Sequence, residues 1–352
     1  MTRVVSTMGL FHEKAARHRR YALALLRHAR WSKVINLLRV EYRRARNNPN
    51  LRGLYPWSLV VDISNVCNLR CPLCTMGQRR LIPRENLMSL ENYVSLVEPL
   101  RDYLFLVFLY NWAEPFFNRD IYKIIRWNTQ ARLATFVSSN LNVTIDAEEL
   151  VRSGLQQLVI SGDGITQDVY EKYRVGGNLA QVLENLKNLV AAKRRLKSRL
   201  PYIEWQCLVT RYNEGQLDEI KRTILGLGAD EVRFANLNLF SADDRAAARR
   251  DWLPQNPAYR AFAAESPRRK SERAVRRPCY WLWRTAVINA NGGAMPCCLF
   301  DVPDWGNALT EPFGTLWNNE RFDAARKRSS PSGGPPQQQL VCDHCDAPFL
   351  YR

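Results

Sequence analysis

Three cysteines, Cys67, Cys71 and Cys74, stand within eight residues in a Cys-x3-Cys-x2-Cys spacing. Thiolates crowded in this way can hold three irons of a [4Fe–4S] cluster, leaving one iron open to a small molecule. A structural zinc is the competing reading, and it wants a fourth Cys or His to close its tetrahedral shell. No histidine lies nearby, since the chain's four are His12, His18, His28 and His344. A second set, Cys279, Cys297, Cys342 and Cys345, closes with a Cys-x2-Cys pair. Four thiolates suit either zinc or a [4Fe–4S] cluster, and spacing alone does not choose. Cys298 is unassigned beside this set, and Cys207 reads as an inert buried thiol.

Nine cysteines in a chain without an export-signal pattern point to metal or redox chemistry more than to disulfides. No apolar run approaches the ~20 residues that span a bilayer, so a cytoplasmic protein is expected. At 352 residues the chain suits one large catalytic domain with smaller appendages. The net charge of +17 is uneven, with twelve Lys or Arg against two acidic residues in positions 1–50. That surplus permits a phosphorylated or nucleotide-linked substrate, a membrane surface or a nucleic acid. Nucleic acid is the least expected of these.

Several elements must position the cysteines. Residues 11–46, within an N-terminal extension 1–56, read as one basic amphipathic helix with Trp31, Ile35, Leu38 and Tyr42 on one stripe. The stripe is expected to pack on the outside of the main domain, with a membrane-surface contact as the alternative. Over 57–240, β-rich runs at Leu59–Ile63, Leu104–Tyr110, Leu133–Val137, Gln157–Ser161, Tyr202–Thr210 and Glu231–Leu237 alternate with helical stretches near 89–101, 118–129, 146–153, 178–197 and 214–226. This pattern predicts an α/β fold, a partial (β/α)6 barrel with its chemistry at the carboxyl ends of the strands. In the fifth run Glu204, Gln206 and Leu208 share the face opposite Ile203, Trp205, Cys207 and Val209, which places Gln206 and Glu204 toward the lumen. Residues 241–278 read as a linker. Residues 279–352 form a small C-terminal α+β extension, with a hairpin turning at Gly292 and Gly293 and one helix near 314–327.

The Cys67–Cys74 loop after a first strand, together with the six-strand rhythm, resembles the radical SAM superfamily over about residues 57–240. The resemblance implies a [4Fe–4S] cluster on Cys67, Cys71 and Cys74 whose open iron binds S-adenosylmethionine (SAM). A reductant such as flavodoxin or ferredoxin supplies an electron, and SAM is cleaved to methionine and a 5′-deoxyadenosyl radical. Asn111–Pro115 is similar to the family's Gly-Gly-Glu-Pro region and gives Glu114 the SAM amino group, although Ala113 departs from the usual Gly. The strand-end residues Ser139, Asn140, Ser161 and Asp163 match positions that hydrogen-bond SAM. Arg174, within Tyr170–Gly177, matches an arginine that pairs with the SAM carboxylate. Taken singly, each of these residues serves equally well in a turn or cap.

Gly292-x4-Cys297, Phe313–Trp317 and Arg321–Arg326 resemble the SPASM/Twitch extension, which holds auxiliary clusters. With Cys279, Cys297, Cys342 and Cys345 and no later cysteine, the shorter Twitch form with one auxiliary [4Fe–4S] cluster is the better match. Its member 2-deoxy-scyllo-inosamine dehydrogenase has similar spacing. The resemblance therefore implies an oxidoreductase that dehydrogenates a secondary alcohol of a sugar-like or aminocyclitol small molecule, passing an electron to the auxiliary cluster. Gln206, Glu204 and Cys298 are the catalytic candidates. A peptide maturase, or an epimerase using Cys298 as hydrogen-atom donor, is the alternative within enzymes. Cys298 can equally be a packed thiol or replace Cys297 as a ligand. Outside enzymes, a zinc protein binding nucleic acid remains.

Overall fold

The structure, a computed structural model, describes residues 19–78, 86–237, 239, 245–259, 279–298, 304–329, 340 and 342. Six strands follow the expected rhythm: β1 Ser58–Val61, β2 Leu106–Phe108, β3 Ala134–Ser139, β4 Gln157–Ser161, β5 Tyr202–Val209 and β6 Glu231–Asn236. Each pairs in parallel with its sequence neighbour. Parallel strands need a covered face and long crossovers, and helices supply both. These are α3 Leu90–Val97, α4 Ile121–Gln130, α5 Ala147–Arg152, α7 Leu179–Arg195 and α8 Leu217–Gly226. Ser89, Asp146 and Asn178 cap the first turns of α3, α5 and α7 through their side-chain oxygens. A further helix, α6 Gln167–Tyr173, precedes α7 where the sequence suggested only a binding segment.

Alternation along β5 divides two environments. Ile203, Trp205, Cys207 and Val209 join the main core with Ile124, Leu186 and Ile220 from the helices. Glu204, Gln206 and Leu208 point the other way, into the concave lumen, as alternation requires. Cys207 is fully buried among apolar groups, as expected.

The C-terminal extension is not a separate layer. Strand β7 Thr285–Ile288 pairs in parallel with β1, and β8 Ala294–Met295 pairs antiparallel with β7. The sheet therefore has eight strands in the order β6-β5-β4-β3-β2-β1-β7-β8 and does not close. The one helix expected near 314–327 is two, α11 Phe313–Trp317 and α12 Glu320–Ser329. They part at Asn319, whose side chain accepts from the Arg321 and Phe322 amides. Arg326 of α12 is wholly buried and donates to the carbonyls of Leu282, at 2.8 Å, and Trp317, at 2.7 Å. It thereby ties α12 to α11 and to α10 Tyr280–Arg284. Within the expected linker, α9 Arg245–Trp252 and a turn at Pro257–Tyr259 are ordered elements.

The N-terminal segment departs from the single helix expected over 11–46. Helix α1, 19–27, is broken from α2 Trp31–Ala45 at 28–30. Helix α1 lies on the lumen side of the sheet, not outside it. Ala24 is buried with Phe105, Leu106, Ala134 and Phe136, and the Tyr21 ring packs 5.3 Å from that of Phe136. Arg20 stacks on Tyr202 and pairs with Glu231 at 2.6 Å and Glu204 at 3.5 Å. All these partners lie at or near the amino ends of their strands, so α1 forms a floor there. Helix α2 docks through its polar side. Lys33 Nζ donates to Arg132 O at 2.7 Å, Asn36 bonds both backbone groups of Tyr55, and Val40 is fully buried. Its apolar stripe, expected inward, faces solvent. The reason is that backbone groups in the loops leading into β1 and β3 need hydrogen-bond partners, and Lys33 and Asn36 supply them. No helix among the described residues is long and apolar enough to cross a membrane.

Candidate active site

The carboxyl end of β1 delivers the three-cysteine loop. Cys67, Cys71 and Cys74 share a pocket with Leu69, Leu73, Tyr173, Leu208 and Leu237. Segments after β2 and after α6 grip this loop: the Glu114 amide donates to Val66 O, and the Arg70 amide to Val175 O. Burial pushes the Cys67 thiol up to about 12 and raises that of Cys71 as well, so a nearby cation is what would hold these sulfurs as thiolates. Arg174 Nη1 lies 3.8 Å from Cys71 Sγ, and Asn140 Nδ2 lies 3.8 Å from Cys67 Sγ. Three thiols in one largely apolar pocket, with donors aimed at two of the sulfurs, fit an anionic iron–sulfur cluster. Among the described residues, no three Cys, His, Asp or Glu side chains are gathered as ligands of a single metal ion.

Gly77 closes the loop on itself. A Cβ there would lie 2.4 Å from Cys71 O and 2.5 Å from Cys71 N. Both are backbone atoms with little room to yield, so Gly77→Ala is expected to displace Cys71. Iron bound per chain should fall by about four, the content of one cluster, while the circular dichroism of the sheet is kept. Unchanged iron would show that the loop tolerates the methyl group.

Glu114, at the end of β2, is buried and fully engaged. It accepts from Ser139 Oγ at 2.7 Å, the Asn140 amide at 2.8 Å and the Phe116 amide at 3.2 Å. Burial nonetheless pushes its carboxyl up to about 7. The structure thus joins three sequence-predicted residues, Glu114, Ser139 and Asn140, in one cluster beside Cys67. Asp62, which the sequence reading passed over, sits at the end of β1 and accepts from the Trp112 amide at 3.1 Å, with the Asn111 and Ala113 amides also bonded to it. It shapes the backbone that leads to Glu114. A lone Asp one residue past a strand carries no signal of that duty.

On the opposite side of the loop, Asp163 accepts from Arg174 Nε at 2.6 Å and from the Leu208 amide at 2.6 Å. Gly162 makes this turn possible, because a Cβ there would lie 1.9 Å from the buried Trp205 ring. Asn68, Asn140, Asn142 and Tyr170 form a hydrogen-bonded chain that binds the cysteine loop to α6. Ser161, on the lumen face of β4, stands beside Gln206 in the parallel register.

Deeper in the lumen, Glu204 is buried and held by Arg233, Arg20 and Gln157, and Gln206 is held by Arg233. Glu204 therefore orients Arg233. Arg233 and Tyr110 were not singled out from sequence. The strand register that sets Arg233 opposite Gln206 would have found the former. Tyr110 lies within electrostatic reach of Cys298, Arg233 and Glu204. Cys298 packs with Val60, Val287, Met295 and Trp112, on the lumen side of β1 and β7. Cys279 and Cys342 both pack against the main core, Cys297 is partly buried, and Cys345 lies outside the described residues.

A parallel α/β sheet with a three-cysteine loop at its carboxyl end, continued by a second cysteine-bearing hairpin, has the arrangement of an iron–sulfur protein. The radical SAM superfamily model matches residues 61–204, and the iron-sulfur cluster-binding domain model, SPASM, matches residues 279–346, which include Cys279, Cys297, Cys342 and Cys345. Residues 61–204 thus carry a radical SAM domain, and residues 279–346 a SPASM-type iron–sulfur cluster-binding extension. These two domains imply SAM, a [4Fe–4S] cluster and auxiliary iron–sulfur clusters.

Among its relatives are a GTP 3′,8-cyclase of Marinobacter nauticus and the tungsten-containing aldehyde ferredoxin oxidoreductase cofactor-modifying protein of Pyrococcus furiosus. The first is 28% identical over 36% of this chain and 39% of its own length. The second is 25% identical over 51% of each. The chain thus spans about half, or less, of the curated relatives it matches. In fold it is similar to Streptococcus suis SuiB, with a TM-score of 0.59 at 14% identity over 82% of this chain and 71% of that one.

Proposed function

We propose that the chain oxidises a secondary alcohol of a small, polar, sugar-like or cyclitol substrate carrying a phosphate or nucleotide. The observation that supports this reading most is the floored lumen, with its wall of Tyr110, Gln206 and Arg233. A guanidinium held by Glu204 and Gln206 suits an anionic oxygen, and α1 limits the depth available to a long chain. The name GTP 3′,8-cyclase, borne by several matched relatives, is consistent with a phosphorylated substrate.

Bound at Cys67, Cys71 and Cys74, a [4Fe–4S] cluster with SAM supplies the 5′-deoxyadenosyl radical that removes hydrogen from a carbinol carbon. Glu114, Ser139, Asn140, Ser161, Asp163 and Arg174 hold and orient SAM at the strand ends. Cys279, Cys297, Cys342 and Cys345 would hold an auxiliary cluster, an acceptor for the one electron released when the hydroxyl proton passes to a base and the carbonyl forms. Arg233 and Gln206 orient the substrate, and the apolar pocket around the loop keeps water out.

A second reading rests on Cys298. A thiol on the lumen side can return a hydrogen atom to the substrate radical, which gives epimerisation. The test is turnover by anaerobically reconstituted protein of a panel of phosphorylated sugars, nucleotide sugars and aminocyclitols, with SAM and dithionite in deuterated water. A product two hydrogens lighter, formed with 5′-deoxyadenosine and at raised KM in Arg233→Gln, supports dehydrogenation. A product of substrate composition carrying one deuterium, lost in Cys298→Ser, overturns it in favour of epimerisation. Turnover of a peptide and of no panel member overturns the small-molecule reading.

A further inference from the structure

Large exposed apolar side chains cluster strongly on this molecule. Leu23, Leu26, Trp31, Ile35, Leu38 and Tyr42 are all exposed, with Trp31 at 83% and Tyr42 at 65%. The last four recur every three or four residues and so form one stripe along α2. Nothing in the docking of α2 uses that stripe, since the helix is held by Lys33, Asn36 and Val40 on its far side.

Charge frames the stripe on one flank. Arg39, Arg43 and Arg46 border it, and Arg52 faces Arg39 and Arg43 across a shallow depression lined also by Leu38, Tyr42 and Leu54. None of these four arginines forms an ion pair among the described residues. Glu41 is the one acidic residue between positions 23 and 53, and Arg284 at 2.6 Å and Arg44 at 3.0 Å hold it.

We propose that this face seats on an anionic phospholipid bilayer, with the Trp31–Tyr42 stripe in the interfacial layer and Arg39, Arg43 and Arg52 on lipid phosphates. Tryptophan and tyrosine are amphipathic and settle at headgroup depth. An apolar helix stripe bordered by basic residues lies in the plane of the interface. Guanidinium groups match phosphate oxygens in pairs. A second copy of the chain fits less well, because a twofold contact would bring arginine borders together without a carboxylate to pair them. Helix α2 crosses the amino ends of the sheet, so the seated enzyme keeps its cysteine loop turned to water.

Sedimentation of the full-length holoenzyme with vesicles tests this. The protein should pellet with phosphatidylcholine vesicles containing phosphatidylglycerol, and high salt should weaken binding. Arg39→Gln/Arg43→Gln/Arg52→Gln should lose about 100-fold in affinity, at roughly fivefold per arginine. Trp31→Ser/Leu38→Ser should abolish pelleting while iron content and circular dichroism stay unchanged. Equal binding to pure phosphatidylcholine, no pelleting with anionic vesicles, or variants that bind like the parent would overturn the proposal. A dimer in solution that Trp31→Ser/Leu38→Ser dissociates, without vesicle binding, would assign the face to a second copy instead.

Discussion

Replacing Cys67, Cys71 and Cys74 together with alanine is expected to remove about four irons per chain and to reduce 5′-deoxyadenosine formation to background. The triple substitution acts on chemistry more than on the fold. The loop's backbone bonds, from the Glu114 amide to Val66 O and from the Arg70 amide to Val175 O after α6, do not involve the thiols. The sheet signal in circular dichroism should therefore persist, as should iron bound by the C-terminal cysteines. Replacing Cys279, Cys297 and Cys342 should give the converse pattern of iron loss. A chain that keeps its full iron after the first substitution would show that this loop is not a cluster site.

The Asp163–Arg174 pair carries the second large effect. Both side chains are mostly buried, at 0% and 13% exposure, and Asp163 also accepts from the Leu208 amide. Removing the carboxylate leaves a guanidinium and an amide without their acceptor inside the protein. Breaking a buried pair in this way costs about 3–5 kcal/mol, so Asp163→Ala should unfold at markedly lower urea. Arg174→Met should cost less, because Asp163 keeps the Leu208 amide, and the double variant should be more stable than the sum of the two losses predicts. The same single variants should weaken SAM binding, read by equilibrium dialysis. Strictly additive stability losses, within about 0.5 kcal/mol, would show that the two groups do not act as a pair.

Much of the scaffold was legible because its signals are local. Strand β4 spans Gln157–Ser161 as read, and the period-2 pattern of β5 correctly turned Gln206 inward while Trp205 joined the core. Helix α7, Leu179–Arg195, lies within the helical stretch read near 178–197. What failed was long-range or contrary to the usual sense of a pattern. The pairing of β7 with β1 joins residues more than two hundred positions apart, and no local pattern encodes it. The stripe on α2 was assigned inward because apolar faces usually are, but Lys33 and Asn36 had specific backbone partners to satisfy. Within the site, the Cys67–Cys74 spacing was plain, whereas Gly77 and Asp62 act through backbone atoms whose neighbours appear only in three dimensions.

The continuity of the sheet through β7 and β8 has a consequence for electron movement. Cys67 follows β1, and Cys297 follows β8, two strands away in the same hydrogen-bonded ladder. Adjacent strands are about 4.8 Å apart, and β8 runs antiparallel to β7, so the ladder fixes Cys297 to the side of β1 and toward its amino end, while Cys67 lies past its carboxyl end. Electron hops fall off steeply with distance, and here that distance is set by backbone hydrogen bonds instead of by the docking of a hinged domain. Redox traffic between the two ends should therefore be insensitive to viscosity and crowding, which slow rigid-body motion but leave a strand ladder unchanged.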